Sequence, residues 1–372
     1  MAGTTVTFMR SKKLFSPRNL PNQLAMITTP SKAPKNMGEK VKAISGSGVL
    51  PSVSVVVFAY NRQRYLPYAL RSLSAQTIPT SMFQVVVARN FREPVSDRII
   101  KENGWVDLQL EDATQAVWLA EALKRVSGDV VCFLEDDDLF EPVKLERVRE
   151  LFNDLTIGYL TSDMWLIGER DAGLGLPATR LKRVDTRVEA SCDNDQEMAD
   201  FYTMVFWCNV SSTAIRRSLV TSRIDLLIKI STFIDPFLFL CLAGLHTKAV
   251  YTPEPLGGYR IYPENSSNPI KWKLTKTNVE KIKRLKSKIA DDDALFLQAA
   301  GPKLRMCLLR AIVMDRLFAL QLTKGGAGQK LRLSFNYIVL TVLLRRKDFG
   351  AVIGPLASIL FPGLVRKRVF RG

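Results

Sequence analysis

The chain has 372 residues, 47% hydrophobic and 24% charged, enough apolar content for one large domain or a medium domain with extensions. Its formal charge of +17 is unevenly placed: residues 1–50 hold 8 basic and 1 acidic residue, residues 271–372 hold 22 and 6, and the stretch between holds 23 and 29, a net of −6. A nucleic-acid enzyme more often gathers basic charge around its cleft, whereas basic ends suit an anionic membrane surface. His246 is the only histidine, which argues against a Ser-His-Asp triad and any multi-histidine metal site. The five cysteines form no C-x-x-C pair and read as small buried hydrophobes in a reducing compartment.

Residues 1–50 are rich in Lys, Ser, Thr, Pro and Gly and read as a poorly ordered basic tail without a secretory signal. The core begins at Val53–Phe58, an apolar run of strand composition, and leaves it through Ala59-Tyr60-Asn61-Arg62. A helix follows, with Leu66, Ala69, Leu70 and Leu73 on one face. Phe83–Ala88 and Val106–Leu110 read as strands, Ala116–Val126 as a helix and Val130–Leu134 as the next strand. Strand-helix-strand alternation predicts a mainly parallel sheet with helices on both faces. No G-x-G-x-x-G follows the first strand and no G-x-x-x-x-G-K-[ST] occurs, so dinucleotide and P-loop phosphate cradles are both absent.

Four consecutive acids, Glu135-Asp136-Asp137-Asp138, follow the buried strand and precede a helical pattern started at Pro142, with Leu145, Val148 and Leu151 on one face. Open α/β sheets bind ligands at the carboxyl ends of their strands. Four like charges there call for a compensating cation, and a hard divalent ion with oxygen ligands also holds phosphate oxygens. The competing reading is a solvated acidic turn.

Taken in order, Val53-Ser54-Val55-Val56-Val57-Phe58-Ala59-Tyr60-Asn61-Arg62, Leu70-Arg71-Ser72-Leu73-Ser74-Ala75-Gln76-Thr77, Gly128–Asp138 and Pro142-Val143-Lys144-Leu145-Glu146 resemble glycosyltransferase family 2. The resemblance covers roughly residues 51–265 and implies a GT-A-like α/β fold. It implies that Glu135 and Asp137 hold the two places of a D-x-D motif, contacting a divalent cation (Mg²⁺ or Mn²⁺) and, with Asp136, the diphosphate of a nucleotide-sugar. Ala59, Tyr60, Asn61 and Arg62 then lie on the donor side. Asn90 stands near where the family commonly has a base-recognising Asp.

Ile157–Thr161 reads as a strand ending at Ser162-Asp163, and residues 170–195 as a loop over the site. Ser211, Ser212 and Thr213 resemble the family's acceptor-side strand; an ordinary strand with a polar face is the alternative. Asp235 lies in an apolar surround before Pro236, so it caps the following helix, pairs with a cation, or does chemistry. The resemblance makes it the general base that deprotonates the acceptor, although the family's neighbouring Glu and Arg are Ile234 and Cys241 here. Tyr259–Ser267 resembles the family's closing segment, with Tyr262 replacing a His and Arg260 able to reach a phosphate or pair with a core acid.

Residues 266–330 read as a helical extension, with a basic helix over Lys271–Lys288 and a helix or pair over Phe296–Leu322. Leu333–Leu344 and Phe349–Val365 are uncharged runs flanked by Arg and Lys, so residues 331–372 are expected to associate with a membrane as interfacial or re-entrant helices, or to form a packed helical cap. The expectation is therefore an inverting, metal-dependent enzyme that moves one sugar from a nucleotide-sugar to a saccharide or lipid-linked acceptor. No Q-x-x-R-W segment follows Asp235, which by the same resemblance favours single transfer over polymerisation. It would work from the cytoplasmic face of an anionic membrane and bind no nucleic acid. An inactive sugar-nucleotide-binding or scaffold homologue is the rival, and a nucleic-acid-binding protein a further one.

Overall fold

The computed structural model describes residues 50–169, 180, 184–205, 209–262 and 279–321. The basic tail over residues 1–49 and the membrane-associating run over 331–372 lie outside the described residues, as do 170–179, 181–183, 206–208 and 263–278. The chain divides into two compact units, residues 33–262 and a second made of 1–32 with 263–372.

The larger unit begins with β1 (Val53–Ala59), all seven residues buried, as a strand covered on both faces must be. Then come α1 (Leu66–Ser74), β2 (Phe83–Arg89), α2 (Pro94–Glu102), β3 (Val106–Gln109), α3 (Gln115–Leu123) and β4 (Val130–Glu135). β1 pairs in parallel with β2 and β4, and β2 with β3. Side chains alternate across a strand. Val53, Val55 and Val57 join Leu66, Leu70 and Leu73 of α1 and Ile100 of α2 in one cluster, each buried Val or Leu contributing about 1.5–3 kcal/mol. α3, which buries Trp118 and Leu119, packs on β1 and β2, and Phe58 stacks on Phe133 with ring centroids 6.3 Å apart. α2 was not expected. Its start is held by Glu93, whose carboxylate accepts from the Val95 and Ser96 amides, with Pro94 in the first turn.

The chain continues through β5 (Leu139–Phe140), α4 (Lys144–Leu151), β6 (Ile157–Gly168), β7 (Val188–Ser191), α5 (Asp195–Val205), β8 (Thr213–Arg216), α6 (Arg217–Thr221), α7 (Ile224–Leu227), α8 (Asp235–Leu240) and β9 (Lys248–Ile261). The nine-stranded sheet runs β3-β2-β1-β4-β8-β6-β9-β5, with β7 also on β9. The predicted α/β architecture is present: its first half is parallel, while β8 runs antiparallel to β4 and β6, and β9 is parallel to β6 but antiparallel to β5 and β7.

Three local expectations need correction. β6 does not end at Ser162-Asp163 but runs on to Gly168, with register shifts against β9 on either side of Asp163. The described part of the expected loop over 170–195 includes β7. β9 was not foreseen, because Pro253 and Pro255 lie inside it and proline interrupts a ladder; the register shifts accommodate them. Gly257 lets β9 lie close to β5, since a Cβ there would meet the Leu139 carbonyl oxygen at 2.7 Å.

In the smaller unit α9 (Val279–Ala294) and α10 (Pro302–Gln321) pack together, burying Ile282, Ile289, Leu304, Leu308 and Ile312. Lys286 and Asp315 form an ion pair of 3.2 Å inside it. No helix among the described residues is long and apolar enough to cross a membrane.

Candidate active site

The acids lie at the carboxyl end of β4, beside the carboxyl end of β1, where Glu135 stands in register with Phe58. The backbone ties the two ends together. The Asp136 amide donates to the Phe58 carbonyl (3.0 Å), and the Tyr60 amide donates to Asp136 Oδ2 (3.0 Å). Asn61 takes the left-handed conformation that Asn tolerates better than most side chains (φ 56°). The turn thereby brings Arg62 back over the acids, with Nε 2.8 Å from Asp136 Oδ1 and Nη1 on Asp137 Oδ2.

Each acid has its own surroundings. The Tyr262 hydroxyl donates to Asp137 Oδ2 at 2.7 Å. Asp137 Oδ1 is buried and has no hydrogen-bond partner among the described residues. Both oxygens of Asp138 are engaged: Oδ1 accepts from the Arg260 amide (3.0 Å) and Oδ2 from the Asn209 side chain (2.9 Å). The Ser211 hydroxyl receives the Glu135 amide at 3.0 Å. Beneath, the buried Lys144 ammonium donates to the Ser211 carbonyl and sits 4.0 Å from the centre of the Phe140 ring.

Burial and mutual repulsion raise the carboxyl pKa values of Glu135, Asp136 and Asp138. Burial, followed by the Asp137 charge, pushes Asp138 up to about 7. Burial lifts Glu135 well above its ordinary value, with Asp137, Asp138 and Asp235 adding to the shift against Arg62. Burial also lifts Asp136, with Arg62 opposing. Arg62 itself is raised: burial works to lower it, but the charges of Asp136 and Asp137 prevail. The acids therefore lack positive charge.

One oxygen from each of Glu135, Asp137 and Asp138 lies within 4.8 Å of the others. Hard carboxylate donors suit Mg²⁺ or Mn²⁺, and the partnerless Asp137 Oδ1 is the atom such an ion would satisfy. These residues fit a divalent cation. Glu135 and Asp137 are better placed than Asp138, whose two oxygens already accept bonds.

Asp235 is half-buried and opens α8, with Pro236 behind it. Its carboxylate is one of the charges that raise Glu135, so it stands within electrostatic reach of the acid turn. Ile234 and Cys241, where the family has Glu and Arg, are both buried in the apolar core.

Arg260 and the Ser211–Thr213 run, both expected at the site, are buried. Arg260, expected at the diphosphate or beside a core acid, is buried, and its guanidinium donates to the carbonyls of Asp137 (2.7 Å), Gly168 (2.9 Å) and Glu169 (3.3 Å). It fastens β9 to the acid turn, and Arg62 is the cation that faces the acids. Ser211, Ser212 and Thr213, expected on the acceptor side, are also buried. Ser212 Oγ donates to the Asn209 carbonyl and lies 3.0 Å from Thr161 Oγ1, so the three hydroxyls belong to the packing around the turn.

On the donor side Ala59 is buried. The Tyr60 ring is 41% exposed, sits edge-on to Trp118 at 5.7 Å, and is held by a 2.6 Å hydrogen bond to Asp112. Asn90 is bracketed to Asn61: its Oδ1 accepts from the Asn61 amide and its Nδ2 donates to Asn61 Oδ1, both at 3.1 Å. Asn209, Lys144, Tyr262 and Asp112 were not among the expected site residues. Tyr262 had a signal in its place in the closing segment, and Lys144 in the Pro142–Glu146 stretch.

The fold and this turn define an α/β protein with an acid cluster at the carboxyl ends of its central strands. Residues 54–162 match the family described as Glycosyl transferase family 2. An uncharacterized glycosyltransferase of Nostoc sp. is 24% identical over 226 residues, 58% of this chain and 66% of its own length. One from Haemophilus influenzae is 29% identical over 104 residues, 27% of this chain and 34% of its own. The chain thus spans under two thirds of either relative. Similar solved structures include S. aureus TarS 1-349 in complex with UDP-GlcNAc (TM-score 0.47, 17% identity, 82% of this chain and 91% of that one). Another is the mannosyltransferase PcManGT from Pyrobaculum calidifontis in complex with GDP-Man and Mn²⁺ (TM-score 0.49, 14% identity, 85% and 89%).

Proposed function

We propose that this chain is an inverting, metal-dependent glycosyltransferase that moves one sugar from a nucleotide-sugar to an acceptor hydroxyl. The observation that supports this most is the open oxygen of Asp137, buried among acids at the end of β4 with the Asp235 carboxylate in electrostatic reach. Tyr60, held by Trp118 and Asp112, presents an exposed ring against which a nucleobase stacks. Asn61, Asn90 and Arg62 border the same side. Glu135 and Asp137 hold the cation, with Asp136 setting the turn and Arg62. When bound, that ion stabilises the charge gathering on the departing diphosphate.

Asp235 takes the proton of the acceptor hydroxyl as its oxygen attacks the anomeric carbon from the face opposite the diphosphate. The carbon–oxygen bond to the diphosphate breaks, its electron pair stays on the nucleoside diphosphate, and the anomeric configuration inverts. Ile234, Phe237 and Leu238 are buried around the start of α8 and fix the helix that carries that carboxylate.

The test is a calorimetric panel of UDP- and GDP-sugars against the whole chain. At least one should bind with Mn²⁺ and lose most of its affinity when the metal is chelated. A panel in which every affinity ignores the metal counts against the assignment.

The basic, apolar residues 331–372, outside the described residues, are proposed to attach the enzyme to the cytoplasmic face of an anionic membrane, where a lipid-linked acceptor is available. Each near-surface basic residue contributes about 1 kcal/mol there. Removing residues 331–372 should release the protein from anionic liposomes and preserve metal-dependent donor binding. A truncated protein that still sediments with the liposomes, or whose catalytic domain unfolds, supports a packed helical cap instead.

A further inference from the structure

Arg62 occupies the place where positive charge is most needed, and it holds it in two ways at once. Its Nε meets Asp136 Oδ1 at 2.8 Å and its Nη1 meets Asp137 Oδ2, with the Tyr262 hydroxyl 3.2 Å from Nη1 and 2.7 Å from the same Asp137 oxygen. Its Nη2 makes no hydrogen bond among the described residues, and the side chain is 29% exposed. Arg62 is thus anchored on Asp136 along one edge and faces outward along another.

We infer that Arg62 is an exchangeable counter-ion: it neutralises Asp136 and Asp137 in the donor-free protein, and gives up Asp137 when a divalent cation and a diphosphate arrive together. The inference rests on the reading of the site as a metal and nucleotide-sugar centre. The reasoning is electrostatic. An ion on Asp137 Oδ1 would share that carboxylate with a guanidinium, and two cations held on one carboxylate repel each other at short range. Metal alone must therefore displace Arg62 from its contact and leave it without a partner on that edge. A diphosphate supplies the missing anion, since guanidinium binds phosphate oxygens through two parallel donors. Asp136, fixed by the Tyr60 amide at 3.0 Å, keeps Nε throughout. The consequence is coupling: the cation binds weakly alone and strongly with the diphosphate, which guards the enzyme against filling its acids with metal in the absence of donor. Two sites coupled in this way commonly change each other's affinity by about 5–150-fold.

The experiment measures Mn²⁺ alone, by its electron paramagnetic resonance signal, against the full chain, Arg62→Gln, Arg62→Lys and Asp137→Ala. Arg62→Gln should bind Mn²⁺ about tenfold more tightly than the parent chain without any nucleotide, within the range of such couplings. Arg62→Lys, which keeps the charge, should stay close to the parent. Equal or weaker Mn²⁺ binding by a folded Arg62→Gln, checked by circular dichroism, overturns the inference. If Arg62→Gln does not fold, Arg62→Lys decides, and Mn²⁺ binding tightened in it as well overturns the charge argument. Mn²⁺ binding that needs Asp137 but ignores Arg62 defeats this inference alone. Mn²⁺ that binds the parent chain and Asp137→Ala alike defeats the metal reading beneath it as well.

Discussion

Asp235→Asn should lower sugar transfer by about 10²–10⁴-fold, the usual contribution of a positioned acid–base group, while nucleotide-sugar affinity stays nearly unchanged. The substitution keeps size and most hydrogen bonding but removes the basic oxygen. The donor-side groups are remote in sequence: Tyr60, Arg62 and the acid turn follow β1 and β4, whereas Asp235 opens α8. The loss should therefore fall on kcat and not on donor binding. The competing role is local. Asp235 sits in the first turn of α8, where a carboxylate favours the helix start by about 1 kcal/mol or less. A purely structural Asp235 gives a variant that melts at lower temperature and keeps full turnover. Turnover measured at saturating donor, beside a thermal melt, separates the two.

The parts of the fold written in apolar runs were legible. β1 and β4 are continuous apolar segments because both faces are covered, and their burial strings show it. The acid turn was legible as a run of carboxylates directly after such a strand, and its burial decides against the competing solvated turn. α2 was hidden because Glu93 serves as its cap, a residue type with weak capping preference. β9 was hidden because two prolines contradict a strand locally, and only the bulged pairing with β6 makes them tolerable.

The site was legible in its charges and not in their directions. Arg62 and Arg260 look alike in sequence, both near short polar and aromatic residues. One faces the acids, and the other reaches backbone carbonyls from inside the packing. Ser211 reads as an acceptor-side or polar-face strand position, yet its hydroxyl receives the Glu135 amide. Asn209 and Tyr262 lie 71 and 125 residues from the acids they bond, so no local pattern could join them. Tertiary pairing decides which polar side chains point inward, and periodicity carries no information about it.

Asp137→Ala is expected to abolish metal-dependent nucleotide-sugar binding. The residue supplies the only carboxylate oxygen of Asp136, Asp137 and Asp138 that is buried and has neither a hydrogen bond nor an ion pair among the described residues. Without Asp137 the cluster keeps only Glu135 and Asp138, whose oxygens already accept hydrogen bonds, too few to hold a hard cation against its hydration shell. The fold should survive. Arg62 keeps Asp136, and removing one acid from a repelling cluster relieves Glu135 and Asp138, both of which Asp137 raises. That relief offsets the loss of the Arg62 and Tyr262 contacts, so the melting temperature should change little. The most direct measurement is calorimetry of the nucleotide-sugar panel, with and without Mn²⁺, on the parent chain and Asp137→Ala side by side. The parent chain should bind a nucleotide-sugar with Mn²⁺, and folded Asp137→Ala should show no gain from the metal. An Asp137→Ala protein that keeps the parent's full Mn²⁺-dependent affinity contradicts the assignment of the acid turn.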